Sequence, residues 1–225
     1  MADVSSVWTR GGKRTFDVVV CIALLLNSLL LFLVAAGLVK LTSPGPVFFL
    51  QQRAGKDGRA FWPWKFRTMR GGRRPDPKEL VPLAHPDITP VGRVLRRLKI
   101  DELPQLFNVL KGEMSLVGPR PTLPDQAAAY DDFRRQRLAV RPGLTGLAQV
   151  NGGAAISWDD RILYDVAYVR RGGLWLDLCI LAKTALVLVR GEARMARPFA
   201  ESPYARYVTP PENYFGAMPF SDCAT

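Results

Sequence analysis

Apolar residues fall along this chain in three rhythms. The first is an unbroken run near the start. Val18 to Val39 carries no formal charge, and its only clearly polar side chains are Asn27 and Ser28. A run of that length crosses the hydrocarbon core of a bilayer when straight. It is too long for the apolar core of a signal peptide, and Lys40 and Thr42 offer no small-residue cleavage site. Cations flank it on both sides, Arg10, Lys13 and Arg14 before it and Lys40, Arg53, Lys56 and Arg59 after it. Positive residues prefer the cytoplasmic face. Two positive flanks therefore favour a re-entrant segment over a single span, with its bend at Asn27-Ser28, where side-chain oxygens can satisfy freed backbone groups.

The second rhythm is short and strand-like. Thr42-Ser43-Pro44-Gly45-Pro46 is a turn, Val47 to Leu50 an apolar strand, and Gly55-Lys56-Asp57-Gly58 a hairpin turn leading into Phe61 to Phe66. The third is helical. After a Gly-, Pro- and charge-rich surface loop from Gly71 to Pro90, a short basic helix is predicted over Pro90 to Leu98, with Val91, Val94, Leu95 and Leu98 on one face. Asp101 is a good N-cap for the next helix, and Pro104 is tolerated in a first turn. Leu103, Leu106, Phe107 and Leu110 then recur at helical spacing, and Lys111-Gly112 ends the run. Asp125 to Val140 reads as one polar amphipathic helix closed by Arg141-Pro142-Gly143. Leu174 to Val189, apolar but holding Asp177 and Lys183, suits an interfacial helix. From Arg197 on, proline and weak periodicity predict an extended tail.

These elements add up to an α+β fold, mostly helical, with a small β-hairpin, an N-terminal re-entrant membrane helix and amphipathic interfacial helices. Three parts follow: an anchor over residues 1–40, a catalytic domain over 41–196 and a Pro-rich tail over 197–225.

Composition narrows the partners. The chain has 225 residues and a formal charge of +11, enough for one sizeable domain plus an anchor. The charge suits anions such as phosphorylated substrates, an anionic bilayer face or nucleic acid. Arg and Lys are dispersed, however, and no nucleic-acid motif occurs, so nucleic acid is not expected as a partner. The three cysteines, Cys21, Cys179 and Cys223, lack metal-site spacing and read as buried thiols. The single histidine, His85, reads as a loop residue.

Candidate chemistry concentrates between Arg96 and Pro121. Asp101 and Glu102 sit between a basic run (Arg96, Arg97, Lys99) and the loop Gly118-Pro119-Arg120-Pro121. At a helix start, exposed N–H groups and the helix dipole favour negative charge. With the neighbouring cations, they should keep Asp101 ionised at neutral pH. An ionised carboxylate is a nucleophile toward phosphorus. Glu102 is placed to bind Mg²⁺, a hard cation that takes carboxylates and substrate phosphates. Arg120, between two prolines, suits bidentate phosphate contact. An ordinary capped helix with two exposed acids satisfies the same spacing.

Motifs along the chain supply a resemblance. Lys13-Arg14-Thr15-Phe16-Asp17, Lys65-Phe66-Arg67-Thr68-Met69 and Lys99 to Pro121 come first. Arg141-Pro142-Gly143-Leu144-Thr145-Gly146, Gln149-Val150-Asn151-Gly152, Ile156-Ser157-Trp158 and Asp165 with Tyr168-Val169 follow. In this order they resemble the bacterial sugar transferase family, the monotopic phosphoglycosyl transferases, over roughly residues 13–190. The resemblance implies transfer of a sugar phosphate from a UDP-sugar to polyprenyl phosphate at the cytoplasmic face of the bacterial inner membrane, in glycoconjugate assembly. It implies Asp101 as nucleophile, Glu102 as Mg²⁺ ligand, Arg96 toward the lipid phosphate and Arg120 toward the intermediate. Lys65, Arg67, Arg141, Gln149, Asn151 and Asp165 fall on the substrate side. A homo-oligomer is compatible with it.

Two departures stand out. The Ser-Pro pair that usually breaks the membrane helix is replaced by Leu29-Leu30 after Asn27-Ser28, and no multi-span N-terminal domain precedes the anchor, as in a minimal catalytic form. A non-catalytic, membrane-tethered basic protein would explain the charge, but not the acid pair or the Gly118–Pro121 loop. A Mg²⁺-dependent phosphate-ester hydrolase would explain the acid pair, but not the anchor, and such sites usually gather more carboxylates.

Overall fold

A computed structural model describes residues 11–70, 81–212 and 214. The apolar run forms helix α1, Lys13–Thr42, about 45 Å long at 1.5 Å per residue. It continues through Asn27 and Ser28, where a bend was expected. Without proline no backbone N–H is lost, and both polar side chains fold back onto carbonyls one turn earlier, Asn27 Nδ2 on Ala23 at 2.8 Å and Ser28 Oγ on Leu24 at 2.7 Å.

One stripe of α1 packs on the rest of the protein from end to end. Asp17 and Cys21 are buried near its start and Ala35 and Val39 near its end, with Leu25 and Phe32 partly buried between them. The start is also pinned by charge. Lys13 Nζ reaches Asp177 Oδ2 at 2.6 Å, Arg14 Nη2 donates to the Leu110 carbonyl at 2.7 Å, and Asp17 Oδ1 accepts from the Leu116 N–H at 3.2 Å. At the far end Arg67 donates to the carbonyls of Ser43 and Pro44 and to the Ser43 hydroxyl, at 2.7–2.8 Å. The opposite face of α1, including Leu26, Leu30, Leu33 and Leu41, is exposed.

Two nested antiparallel pairs follow. β1 (Phe48–Leu50) pairs with β4 (Trp64–Phe66) in the register Phe48 to Phe66. β2 (Arg53–Ala54) pairs with β3 (Ala60–Phe61), closed by the turn at Lys56–Gly58. The expected hairpin is therefore formed. Phe32 of α1 lies against Phe48, Phe66 and Phe107, at ring-centroid distances of 6.0, 4.9 and 5.8 Å. Part of the expected Gly71–Pro90 loop, residues 71–80, lies outside the described residues. Helix α2 is Pro90–Arg97, capped by the Thr89 hydroxyl on the Gly92 N–H at 2.8 Å. Of its expected apolar face only Leu95 is fully buried, and Val94 and Leu98 point outward.

Asp101 does not cap the next helix. Ile100–Glu102 is a separate tight helical turn, and α3 begins after Pro104, at Gln105–Lys111. Strand β5 (Ser115–Val117) pairs in parallel with β6 (Gly143–Thr145). The predicted helix over 125–140 is broken into α4 (Pro124–Ala128), α5 (Asp132–Arg135) and a further turn at Gln136–Ala139. The break arises because Asp131 caps a new start, its carboxylate accepting from the Arg134 N–H at 2.7 Å. Helices α6 (Trp158–Arg171) and α7 (Leu174–Arg190) complete the domain.

Over residues 198–212 the segment after Arg197 is not extended but turns through short helical stretches, while residues 213 and 215–225 lie outside the described residues. Phe199, Val208 and Tyr214 are buried, Phe199 packs edge-on against Tyr164 of α6, and Arg134 donates to the Tyr214 carbonyl at 2.7 Å. The aromatic side chains override the weak local periodicity. Cys21 and Cys179 are free thiols, the former buried, while Cys223 lies outside the described residues. His85 sits in a turn, as expected, accepting from the Asp87 N–H at 3.2 Å.

Candidate active site

The Ile100–Glu102 turn is entered through Lys99, whose φ of 57° places a non-glycine residue in the left-handed region. Such a conformation costs energy and persists where its surroundings enforce it. It lets the chain leave α2 and present two consecutive carboxylates before α3 begins. Both acids are largely buried, each 9% exposed.

Their surroundings drive them apart. Glu102 is clamped: Lys65 Nζ lies 2.6 Å and Arg120 Nη2 2.8 Å from Oε1, and Arg120 Nη1 3.4 Å from Oε2. Burial alone would raise its pKa, but Arg120 and Lys65 hold it well below the usual carboxylate range. Asp101 has no ion pair or side-chain hydrogen bond among the described residues. Burial and the Glu102 charge push it up to about 6, against the pull of Lys65, Arg96 and Lys99. Sequence reasoning expected the helix start and the neighbouring cations to favour the ionised form, but Asp101 does not begin α3 and desolvation outweighs the cations, so the shift runs upward.

Two elements deliver the cations. Strand β4 carries Lys65. The Gly118–Pro121 loop carries Arg120 and is held by the β5–β6 pair, Gly118 N–H donating to Thr145 and Gly143 N–H to Pro119, both at 2.9 Å. A Cβ on Gly143 would stand 2.1 Å from Gly118 N, so only glycine allows this approach. Beneath the loop, Arg137 donates to the Arg120 carbonyl at 2.9 Å, to Tyr130 Oη at 2.6 Å and to Asp165 Oδ2 at 2.5 Å. Asp165 is thus buried behind the site and supports Arg120 through Arg137. Arg96 faces the Asp101 side, with Nε on Thr68 Oγ1 at 2.8 Å.

The remaining expected residues lie elsewhere. Arg67 ties down the end of α1. Arg141 donates from Nε to the Gly112 carbonyl at 2.7 Å, at the end of α3. Asn151 donates to the Leu147 carbonyl at 2.7 Å, and Gln149 keeps a buried, unpaired Oε1. These side chains serve nearby loop and helix-end backbone, while Lys65, Arg96 and Arg120 gather about Asp101 and Glu102.

Three contributors were not apparent from the sequence. Burial and the Arg120 charge lower the Arg53 guanidinium to about 10, which marks it as a further cation beside the site. Asn108, fully buried, accepts from the Trp64 N–H and donates to the Trp62 carbonyl, both at 2.9 Å, fixing the strand that carries Lys65. A polar residue inside the apolar spacing of α3 was its one available signal. Glu192 pairs with Lys99 at 2.8 Å.

Among the described residues no three acidic, histidine or cysteine side chains gather as a metal cage. Mg²⁺ does not need one, because it is commonly bound by one or two carboxylates together with substrate phosphates. The ionised, buried Glu102 beside Asp101 fits that mode, and its cationic partners favour a metal that arrives with anionic phosphate.

A split carboxylate pair ringed by cations, on an α+β domain carrying a helix long and apolar enough to cross a membrane, is an arrangement suited to phosphate chemistry beside a bilayer. The chain belongs to the bacterial sugar transferase family, whose profile matches residues 8–191. It is 45% identical over 172 residues to EpsL, an uncharacterized sugar transferase of Bacillus subtilis, covering 76% of this chain and 84% of that protein. It is also 45% identical over 188 residues to the UDP-glucose:undecaprenyl-phosphate glucose-1-phosphate transferase of Caulobacter vibrioides, covering 76% and 67%. To the UDP-N-acetylgalactosamine-undecaprenyl-phosphate N-acetylgalactosaminephosphotransferase of Aeromonas hydrophila it is 43% identical over 185 residues, 80% of this chain and 44% of that larger protein.

Proposed function

We propose that this protein transfers a sugar 1-phosphate from a UDP-sugar to polyprenyl phosphate through a covalent intermediate on Asp101, releasing UMP, as a membrane step of bacterial exopolysaccharide or O-antigen assembly. The observation that carries this reading is the asymmetry of the pair: Glu102 is clamped by two cations, while Asp101 is largely buried and has no ion pair among the described residues. A largely desolvated carboxylate without a cation bound to it is the better nucleophile of the two.

In the first half-reaction an Asp101 carboxylate oxygen bonds to the β-phosphorus. The bond from that phosphorus to the bridging oxygen breaks, and UMP leaves with the oxygen and its electron pair. In the second, a phosphate oxygen of the polyprenyl phosphate attacks the phosphorus carried by Asp101, whose carboxylate departs, giving the polyprenyl diphosphate sugar. Arg120 and Lys65 can pass from Glu102 to phosphate oxygens, exchanging one anionic partner for another without exposing either charge. Arg96, on the Asp101 side, is the candidate for the acceptor phosphate. Glu102, with the diphosphate oxygens, would hold Mg²⁺, whose charge neutralises the leaving phosphate.

The packing of α1 supports a location for this chemistry. A helix attached along its full length to the catalytic domain presents only its outer face to lipid. We place it lengthwise in the cytoplasmic leaflet of the inner membrane, with both basic flanks on the cytoplasmic side.

Membranes containing the protein, given UDP-sugars with and without polyprenyl phosphate, test the reading. UMP should form continuously with the lipid and as a single stoichiometric burst without it. Near-native activity in Asp101→Asn would show the nucleophile assignment to be wrong.

A further inference from the structure

The family match ends at residue 191, and the next side chain reaches back to the catalytic turn. Glu192 Oε1 accepts from Lys99 Nζ at 2.8 Å, and Oε2 accepts from the backbone N–H of Ala154 at 3.0 Å. The receiving turn has the form of an anion cradle. Gly152 and Gly153 have successive positive φ angles of 130° and 51°, and a Cβ on Gly153 would stand 2.5 Å from Glu192 Oε2. A backbone N–H turned outward at such a turn can meet an anion. Here it is that of Ala154, while the Gly153 and Ala155 N–H groups donate to the Ala148 and Gly152 carbonyls at 3.0 and 2.8 Å. The other side of the turn is fixed by Arg161, which donates to the carbonyls of Ala154 and Ile156 at 3.0 and 2.9 Å. Lys99 directly precedes the turn holding Asp101 and Glu102, so the cradle adjoins the dyad. Burial opposes ionisation of Glu192, yet Lys99, the Ala154 N–H and Arg120 keep it below its ordinary pKa.

We propose that Lys99 Nζ and the Ala154 N–H form a phosphate subsite, and that Glu192 occupies it in the absence of substrate as an internal stand-in for a phosphate monoester. A phosphate offers more charge and more acceptor oxygens than a carboxylate, so a bound substrate displaces Glu192 rather than stacking beside it. Placement of the subsite next to the dyad favours the phosphate that leaves in UMP. The same chemistry would take the headgroup of polyprenyl phosphate. This inference rests on the transferase reading.

Binding of UMP, inorganic phosphate and a short-chain polyprenyl phosphate to the full-length protein, in detergent with Mg²⁺, tests it. Glu192→Gln keeps the shape and removes the charge; Glu192→Ala removes the stand-in altogether. Both should bind UMP about fivefold more tightly than wild type, the scale of a partly exposed ion pair. The gain should vanish when Lys99→Ala is added, and thermal unfolding of each variant confirms folding. A gain for UMP and inorganic phosphate alone assigns the subsite to the donor, and a gain for the lipid phosphate alone assigns it to the acceptor. Equal or weaker phosphate binding in folded Glu192→Gln would make Glu192 a structural brace and overturn the proposal. UMP binding to wild type and variants alike leaves the transferase reading intact, whereas its absence from all of them removes both.

Discussion

Replacing Asp101 by asparagine should abolish turnover and at the same time stabilise the protein. Burial and the adjacent Glu102 raise the Asp101 pKa from 3.8 to about 6. A raised carboxylate pKa means that folding favours the protonated form. Its stabilising contribution is full below pH 3.8 and is lost as pH rises through 6. At about 1.4 kcal/mol per pH unit, the ionised carboxylate costs the folded state about 3 kcal/mol at pH 7.5. Asparagine has nearly the same shape and no charge. For a chain of this size, relief of that cost corresponds to an apparent Tm increase of about 6–12 °C. The assay is thermal unfolding of purified wild type and Asp101→Asn, in one detergent with EDTA, from pH 5 to 8. The difference should be largest at pH 7.5 and shrink below pH 6, as wild-type Asp101 takes up its proton. An asparagine variant no more stable than wild type at pH 7.5, or a gain independent of pH, would refute the reasoning.

The neighbouring acid should behave oppositely. Glu102→Gln leaves Lys65 and Arg120 without their shared anion and should lower stability by about 1–3 kcal/mol, discounted for the partial exposure of both cations; the same unfolding assay reads it. The rate of UMP formation should fall on acidification with an apparent pKa of about 6 or lower, since Asp101 must be ionised to attack; a pH–rate profile with its acid limb at or above pH 7 would contradict this. Asp165→Asn strands the buried Arg137 and should cost about 3–5 kcal/mol, with a fall in kcat because the Arg120 loop loses its support; unchanged Tm and kcat would remove Asp165 from this role. Arg67→Ala should loosen the end of α1, lowering stability by about 2–4 kcal/mol, while KM for the UDP-sugar stays near wild type; a selective rise in KM would return Arg67 to the substrate side.

Local patterns located the hairpin strands, α2, α3, α7 and the long apolar helix, but not the parallel pair β5–β6 or helix α6. They missed the break at Asp131 because the capping carboxylate and an ordinary exposed acid look identical in sequence. The packing of α1 was equally hidden: a stripe of Asp17, Cys21, Leu25, Phe32 and Val39 in so apolar a run does not announce which face meets protein and which meets lipid. At the site, adjacency gave Asp101 and Glu102, and family motifs gave Lys65, Arg96 and Arg120. The family resemblance implied the division of labour between the acids, but its electrostatic basis was not legible, since it depends on Lys65 and Arg120 both reaching Glu102 while Asp101 has no ion pair among the described residues. Arg67 and Arg141 sit in the same kinds of motif as Lys65 and Arg120, yet their guanidinium groups serve backbone carbonyls instead. Spacing specifies where such a residue sits along the chain, but only tertiary packing decides which charge it meets.

Covalent capture at Asp101 tests the central claim most directly. Purified protein mixed with the UDP-sugar and Mg²⁺, without lipid acceptor, should be quenched in acid, digested and mapped by mass spectrometry. The account predicts about one equivalent of UMP released and a sugar-phosphate adduct on the peptide carrying Asp101, lost when polyprenyl phosphate is added. An adduct on Glu102, or UMP release with no covalent species, would contradict it.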